Sequence, residues 1–352
     1  MNNKQISRKH VLITGGAGFI GSHLAEKLLS DGCYVTVIDD LSTGKFENIA
    51  HLVGHPRFRF AIDNISNEIV LDRLTSECDE VYHLAAAVGV MLIVEQPVRT
   101  IETNIMGTEA VLRAALRYRA KVFIASTSEV YGKGNRVPFN ENDDVVLGPT
   151  SRSRWAYAAS KMVDEFLALA YYREHGLPVV IFRLFNTVGP RQTGQYGMVI
   201  PRFIEQVYKG QPLTVFGDGQ QTRCFLHVAD AIEAILALSD CDEAIGQVFN
   251  IGSTEEIEIR DLAKMVLRIA INKLGNKWTG RIPANGSSIY EQILYVPYED
   301  AYAIGFEDMH KRVPDISRIQ QLTGWQPSHS LEHILDDMIT SHINMSNNRS
   351  ST

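Results

Sequence analysis

A tyrosine and a lysine four residues apart carry the strongest chemical signal in this sequence. Tyr157 and Lys161 lie in the stretch WAYAASK. On a helix, positions i and i+4 share a face, so the ammonium of Lys161 would lie beside the phenol of Tyr157. A neighbouring positive charge favours the phenolate and lowers a pKa that is ordinarily about 10. The pair therefore predicts a base that takes a proton from a hydroxyl group.

A glycine-rich turn near the N-terminus predicts a dinucleotide site. The apolar run 10–14 leads into GGAGFIGSHL, residues 15–24, in a strand–turn–helix pattern that brings a pyrophosphate to a helix N-terminus. A second apolar run ends in Asp39 and Asp40, at the distance where a carboxylate accepts hydrogen bonds from the ribose hydroxyls. A carboxylate at this position repels a 2′-phosphate. The sequence therefore predicts NAD rather than NADP, although Lys45 lies nearby.

Composition excludes several other classes of protein. With 352 residues, 45% of them hydrophobic, the chain can bury the core of one large or two medium domains. The net charge of −7 argues against a nucleic-acid or anionic-membrane partner. The four cysteines form no CxxC pair, so neither a zinc site nor a disulfide framework is indicated, and no apolar segment is long enough to span a bilayer. We expect a cytoplasmic protein without a metal.

Strand-like and helical segments alternate along the first half of the chain. The strand-like runs are 10–14, 34–38, 58–62, 80–84, 121–125 and 179–183. Amphipathic helical patterns cover 105–117 and 162–172. This order predicts an α/β fold, a Rossmann-type doubly wound parallel sheet. We expect a cofactor-binding domain with the catalytic residues over 1–185, a smaller mixed α/β domain over 186–343, and a disordered tail over 344–352.

A series of motifs in one order extends over nearly the whole chain. They are the glycine turn at 15–21, Asp39, YHLAA at 82–86, Asn104, STSEVYG at 126–132, Tyr157 with Lys161, RLFN at 183–186, GPR at 189–191, Arg223 with HVAD at 227–230, and RVPD at 312–315. In these motifs the chain resembles the extended short-chain dehydrogenase/reductase family, in its nucleotide-sugar epimerase, dehydratase and decarboxylase branch. The resemblance implies a UDP-sugar substrate, a 4-keto intermediate, and a homodimer formed through the two helical segments.

The resemblance also implies roles for individual residues. Thr127 would hydrogen-bond the sugar oxygen at the reacting carbon, Tyr157 would remove its proton, and Lys161 would hold the nicotinamide ribose. The implied catalytic set is Thr127, Ser128, Glu129, Tyr157, Lys161 and Arg312. The implied cofactor-binding set is Gly15, Gly18, Phe19, Ile20, Gly21, Asp39, Asp40, Asp63, Leu84, Ala85, Ala86, Asn104, Ser126, Tyr157 and Lys161. The implied substrate-binding set is Asn186, Val199, Ile200, Val215, Arg223 and Arg312.

The residues after Thr127 narrow the reaction. Dehydratases of this family carry an Asp–Glu pair there, whereas this chain has Ser128 and Glu129, which disfavours dehydration. In simple 4-epimerases, which usually carry a small or neutral pair, Glu129 would be surplus. The form STSEVYG, with Arg154 and Trp155 just before Tyr157, is similar to UDP-glucuronate decarboxylases.

Two further features bear on that similarity. Arg312 aligns with an arginine implicated in decarboxylases as a general acid or carboxylate contact, and in epimerases the same position holds the diphosphate. The chain departs from decarboxylases at AVGV, residues 87–90, which lacks their usual Ser-Pro or Thr-Pro. UDP-glucuronate decarboxylation therefore leads, and UDP-sugar 4-epimerisation, on a hexose or a uronic acid, follows. A 4,6-dehydratase and a non-catalytic NAD-responsive regulator are the remaining alternatives.

Overall fold

A seven-stranded parallel sheet forms the centre of the fold. The computed structural model describes residues 9–88, 96–193, 198–275, 289–297 and 311–349. The strands are β1 (His10–Thr14), β2 (Tyr34–Asp39), β3 (Phe58–Ile62), β4 (Glu80–His83), β5 (Lys121–Thr127), β6 (Val179–Leu184), β7 (Thr187–Val188), β8 (Leu213–Phe216), β9 (Thr222–Cys224), β10 (Leu226–His227), β11 (Gln247–Ile251), β12 (Glu256–Glu258) and β13 (Ile293–Val296). The central sheet has the order β11-β6-β5-β4-β1-β2-β3, and its near-continuous apolar strands are typical of a sheet covered on both faces.

Helices cover both faces of this sheet. The helices are α1 (Phe19–Ser30), α2 (Glu68–Thr75), α3 (Pro97–Tyr118), α4 (Trp155–His175), α5 (Val199–Tyr208), α6 (Val228–Ser239), α7 (Ile259–Leu274), α8 (Ser317–Thr323) and α9 (Leu331–Arg349). On one face α1, α6 and α8 share a hydrophobic core with the strands, and on the other face α2, α3 and α4 share a second core. The predicted doubly wound fold is confirmed. Within the described residues, no helix is both long and apolar enough to cross a bilayer.

A third hydrophobic core lies away from the central sheet. It is formed mainly by α5, α7 and α9, with Phe203, Leu262 and Ile334 fully buried in it. Three two-stranded pairings border this core: β7 with β10, β8 with β13, and the antiparallel β9 with β12. This second region is therefore mixed α/β, with helices as its main packing elements.

The domain boundary expected at residue 186 does not separate the two regions in space, because later segments return to the first region. Strand β11 pairs with β6 in the central sheet, and α6 packs in the core shared with α1. Both segments therefore belong to the first region, because their backbone and side-chain contacts are made there. The expectation of a disordered tail over 344–352 is wrong for residues 344–349, because α9 continues to Arg349. Ile343 packs on the third core, so the last turns extend a helix that is already anchored. Residues 350–352 lie outside the described residues.

Candidate active site

One cavity of about 540 Å³ lies at the carboxyl ends of β1, β2, β4 and β5, between the sheet and the second region. A crevice at this edge is where doubly wound sheets bind ligands. The predicted residues that line it are Gly15, Gly18, Phe19, Ile20, Gly21, Asp39, Asp40, Asp63, Leu84, Ala85, Ala86, Ser126, Thr127, Ser128, Glu129, Tyr157, Asn186, Val199, Ile200, Arg223 and Arg312. The fold thus brings together residues that are almost 300 positions apart in sequence.

The glycine turn forms a cradle that side chains would fill. Gly15 has φ of +70°, and a Cβ there would lie 2.8 Å from the backbone of Ala85. A Cβ on Gly21 would overlap the carbonyl oxygen of Gly15. Because the turn leads directly into α1, the backbone N–H groups at that helix N-terminus can receive a pyrophosphate. The shape of this end of the cavity therefore fits a dinucleotide.

Asp39 lies in the cavity wall beside this turn. Its Oδ2 accepts a hydrogen bond from the backbone N–H of Ala17 at 2.9 Å, and its Oδ1 accepts one from that of Leu41 at 2.8 Å. Burial raises the pKa of this carboxyl, and the two backbone hydrogen bonds work against that rise. The next acid, Asp40, accepts from Asn64 Nδ2 at 2.8 Å. Two carboxylates therefore lie at the end of the cavity where the ribose of a dinucleotide would be held.

Tyr157 and Lys161 lie on α4 as predicted, but the lysine has a different partner. Tyr157 is 9% exposed and is hydrogen-bonded to the Thr127 side chain. The Nζ of Lys161 donates to Asp164 Oδ2 at 2.6 Å, and both side chains are buried. Burial raises the pKa of Tyr157, and the carboxylate of Glu129 raises it further. The expectation that Lys161 lowers this pKa is therefore wrong: burial and the nearby carboxylates raise it, and the Nζ of Lys161 is bonded to Asp164.

Three of the predicted site residues lie behind the cavity wall: Lys161, Asn104 and Val215. Asn104 is fully buried, with its Oδ1 accepting from the N–H of Ala87 at 2.8 Å and its Nδ2 donating to Ser160 Oγ at 2.9 Å. It ties the loop after β4 to α4. Val215 packs in the third core, while its neighbour Phe216 lines the cavity, because successive side chains of a strand point to opposite faces.

Glu129 lies between two arginines at the cavity wall. It belongs to a short 3₁₀ turn over Ser128–Tyr131, and Thr127 Oγ1 accepts from its N–H at 3.2 Å. Its carboxylate is 3.3 Å from Arg154 Nη2 and 2.5 Å from Arg312 Nη2. Burial opposes ionisation of this carboxyl, but the two guanidinium groups outweigh it and hold the pKa of Glu129 below its ordinary value. The site therefore holds an ionised carboxylate flanked by two cations.

Backbone hydrogen bonds between two segments that are far apart in sequence place Arg312 beside Glu129. The N–H of Phe139 donates to Val313 O at 2.8 Å, and that of Asp315 donates to Phe139 O at 2.8 Å. Asn140 Nδ2 also donates to Asp315 Oδ2, at 2.9 Å. The segment after β5 therefore anchors the segment that carries Arg312.

Sequence reasoning assigned no role to Arg154 or Arg191, and both line the cavity. Arg154 is the N-cap of α4 and has helical backbone angles, so its spacing of three residues from Tyr157 could have indicated that both side chains lie on the same side of the helix. Arg191 donates to Ser22 Oγ at 3.1 Å and pairs with Glu26 at 2.5 Å. It thus joins the second region to α1, a contact that only the folded chain shows.

Comparison with known proteins agrees with this architecture. The family model described as GDP-mannose 4,6 dehydratase matches residues 12–338. A UDP-N-acetyl-alpha-D-glucosaminuronate decarboxylase of Bacillus cytotoxicus is 41% identical over 94% of this chain and 97% of the relative. UDP-glucuronic acid decarboxylase 1 of Arabidopsis thaliana is 36% identical over 96% of this chain and 70% of the relative.

A solved structure has the same fold over nearly the same length. The dTDP-glucose 4,6-dehydratase of Streptomyces venezuelae, solved with NAD bound, is 27% identical, with a TM-score of 0.81 over 96% of this chain and 98% of that one. The matches thus extend over the sheet, the cavity and the second region. The chain belongs to the extended short-chain dehydrogenase/reductase family, in the branch of enzymes that modify nucleotide sugars.

Proposed function

We propose that this enzyme decarboxylates a UDP-linked hexuronic acid through a 4-keto intermediate. The observation that carries the proposal is the position of Glu129 between Arg154 and Arg312, in the same cavity as Thr127 and Tyr157. A substrate carboxylate needs guanidinium partners in a cavity of an acidic protein, and arginine can bind carboxylate oxygens bidentately. A UDP-hexose would offer these guanidinium groups no sugar carboxylate.

The cofactor proposed is NAD. The glycine cradle around Gly15 and Gly21 would hold its pyrophosphate, and Asp39 and Asp40 would face the adenosine ribose. When bound, NAD would supply a reversible hydride acceptor for C4 of the sugar. The carboxylates at the ribose end disfavour the additional phosphate of NADP, since like charges repel.

The chain's own residues supply the proton transfers and hold the developing charge. Tyr157 takes the proton of the C4 hydroxyl, and Thr127 donates a hydrogen bond to the same oxygen. The resulting C4 ketone lies β to the C6 carboxylate, so the C5–C6 bond can break with release of carbon dioxide and leave its electron pair as an enolate. The negative charge then rests on the C4 oxygen, where Thr127 and the protonated Tyr157 stabilise it. A proton from water adds at C5 and restores the ketone, and Tyr157 returns its proton to the C4 oxygen when the ketone is reduced.

Arg312 and Arg154 would contact the C6 carboxylate, with Glu129 orienting both guanidinium groups. The first residue of the 3₁₀ turn, Ser128, is buried and has no acidic side chain. It therefore cannot protonate a departing C6 hydroxyl as an aspartic acid would, which makes a 4,6-dehydratase the weaker proposal. The nearest competitor is a 4-epimerase, because Thr127 and Tyr157 would serve it equally well. Ala87 and Val88, where the sequence departs from decarboxylases, line the cavity, while residues 89 and 90 lie outside the described residues.

A panel of UDP-sugars tests the proposal. We expect carbon dioxide release from UDP-glucuronate or from UDP-N-acetylglucosaminuronate, and none from UDP-glucose, which has no carboxylate. The ratio of kcat/KM for the two uronates would identify the substrate. A product that retains its carboxylate and is inverted at C4 would refute decarboxylation and establish the epimerase.

We also propose a homodimer formed by α3 and α4, which pack against each other and expose apolar side chains. Met106 on α3 is 64% exposed, Phe166 on α4 is 66% exposed, and Ile101 and Val163 add to the same two helices. Large exposed apolar side chains on adjacent helices are typical of an interface. Sedimentation velocity should give a dimer, and Phe166→Glu should shift it towards monomer. A monomeric unmodified protein would refute the proposal.

A further inference from the structure

A buried carboxylate, Asp164, lies about two helical turns beyond the predicted base and has no role in the mechanism above. Asp164 and Lys161 are on the same helix, α4, and are 0% and 2% exposed. The Nζ of Lys161 donates to Asp164 Oδ2 at 2.6 Å. Removing two charges from water is costly, and a buried pair of this kind is often no more stable than apolar residues of similar size. Stability alone therefore gives little reason for this pair.

The carboxylate acts electrostatically on Tyr157. Burial raises the pKa of Tyr157, and the negative charges of Glu129 and Asp164 both raise it further, while the hydrogen bond with Thr127 lowers it. Tyr157, Lys161 and Asp164 are spaced by four and then three residues on α4, so all three lie on one face of the helix. The ion pair thus lies on the same helix face as the phenol, with its two charged groups 2.6 Å apart.

Polar and titratable groups from α3, α4, β4 and β6 lie around Asp164 and its neighbours. On α4 itself Glu165 lies next to it, and this acid is paired with Arg183 of β6 at 2.6 Å. On α3 the hydroxyl of Thr108 faces Asp164, and Thr108 in turn contacts His83 Nε2 at 3.0 Å. Burial lowers the pKa of His83 to about 3, so this ring is neutral at physiological pH. The charge that Lys161 meets directly is therefore that of Asp164.

We propose that Asp164 is a positioning residue for C4 oxidation: it holds the ammonium of Lys161 in place and offsets its charge, and so controls how readily Tyr157 releases its proton. An ammonium has three donors, so its bond to Asp164 does not use all of them. The inference rests on Tyr157 being the base in the proposed function, but it applies to decarboxylation and epimerisation alike.

The test measures the titration of Tyr157 directly. The full chain, saturated with NAD, is labelled with ¹³C at Cζ of its 13 tyrosines, and the resonance that disappears in Tyr157→Phe identifies Tyr157. Asp164→Asn keeps the size of the side chain and an oxygen acceptor for Lys161 but removes the charge. We expect the titration midpoint of Tyr157 to fall by about one pH unit or more. The acidic limb of kcat/KM should move in the same direction. Glu174→Gln, an exposed change on the same helix, should move neither.

A second variant separates charge from structure. In Lys161→Met/Asp164→Leu the whole ion pair is replaced by apolar side chains, a change that buried pairs often tolerate. If the two charges offset each other, the Tyr157 midpoint in this variant should stay within about half a pH unit of the unmodified protein. An unchanged or raised midpoint in Asp164→Asn, or a raised midpoint in the double variant, would overturn the inference. Failure of every UDP-sugar to react, with the midpoints behaving as expected, would instead refute only the proposed function.

Discussion

Replacement of Glu129 by alanine is the substitution that best separates decarboxylation from epimerisation. The carboxylate lies 3.3 Å from Arg154 and 2.5 Å from Arg312. At an effective dielectric constant of about 20 these distances correspond to about 5 and about 7 kcal/mol of attraction before desolvation is subtracted. Breaking a buried pair by removing one partner costs about 3–5 kcal/mol. Removal of the carboxylate would also remove the group that orients both guanidinium groups, and these are the proposed contacts of the substrate carboxylate.

Kinetic effects of comparable catalytic groups give a similar free-energy cost for the loss of Glu129. General acid–base and positioning groups contribute about 10²–10⁴ in rate, which is about 3–5 kcal/mol in the barrier. We therefore expect Glu129→Ala to slow carbon dioxide release from a UDP-uronate by this factor. Oxidation at C4 should fall less, because Thr127 and Tyr157 are unchanged.

The assay follows two signals in a single turnover: carbon dioxide release and NADH absorbance. NADH that accumulates while carbon dioxide release is lost would place Glu129 in the step after oxidation. Glu129→Gln keeps the size of the side chain without its charge and should resemble Glu129→Ala, whereas the exposed Glu174→Gln should behave like the unmodified enzyme. Near-normal turnover of Glu129→Ala, with the carboxylate retained in the product, would refute the reasoning and favour the epimerase.

The remaining predictions address the base, the cofactor, the diphosphate and acid stability. Tyr157→Phe should abolish turnover but leave the dissociation constant of UDP nearly unchanged, since the phenol acts at C4; calorimetric titration with UDP checks this. NAD should bind more tightly than NADP because Asp39 and Asp40 line the ribose end of the cavity; a fluorescence titration showing the reverse order would contradict it. Arg223→Met should raise KM for the UDP-sugar at least about tenfold with a smaller effect on kcat, because the charge-assisted contact that we expect between Arg223 and the diphosphate of the substrate is lost. An unchanged KM would exclude this contact. Burial lowers the pKa of His83 from 6.5 to about 3, so the unfolded state binds more protons between these two pH values. The free energy of unfolding should therefore fall as pH drops through this window. Urea denaturation at several pH values measures this free energy, and a value that stays constant across the window would contradict the prediction.

Local sequence determined the central sheet and one end of the cavity. The glycine turn, the runs of apolar residues and the Tyr157–Lys161 spacing each act over a few neighbouring residues, where backbone geometry leaves few alternatives. The strands and helices predicted over residues 10–183 are therefore present in the structure, and the glycines form the expected turn. The edges of the strands differ by one or two residues, which local patterns do not determine.

Contacts between distant residues decided the rest, because side-chain charges interact through space and not along the chain. The i and i+4 spacing placed Lys161 on the face of Tyr157, but only packing against α3 and β4 left its ammonium buried with Asp164. In the same way, Glu129 and Arg312 are 183 positions apart, and they meet because the backbone of Phe139 pairs with that of Val313. The residue types could therefore indicate which chemistry is available, but the burial of each group and the pairing of charges, which together shift the pKa values, were decided by the tertiary structure.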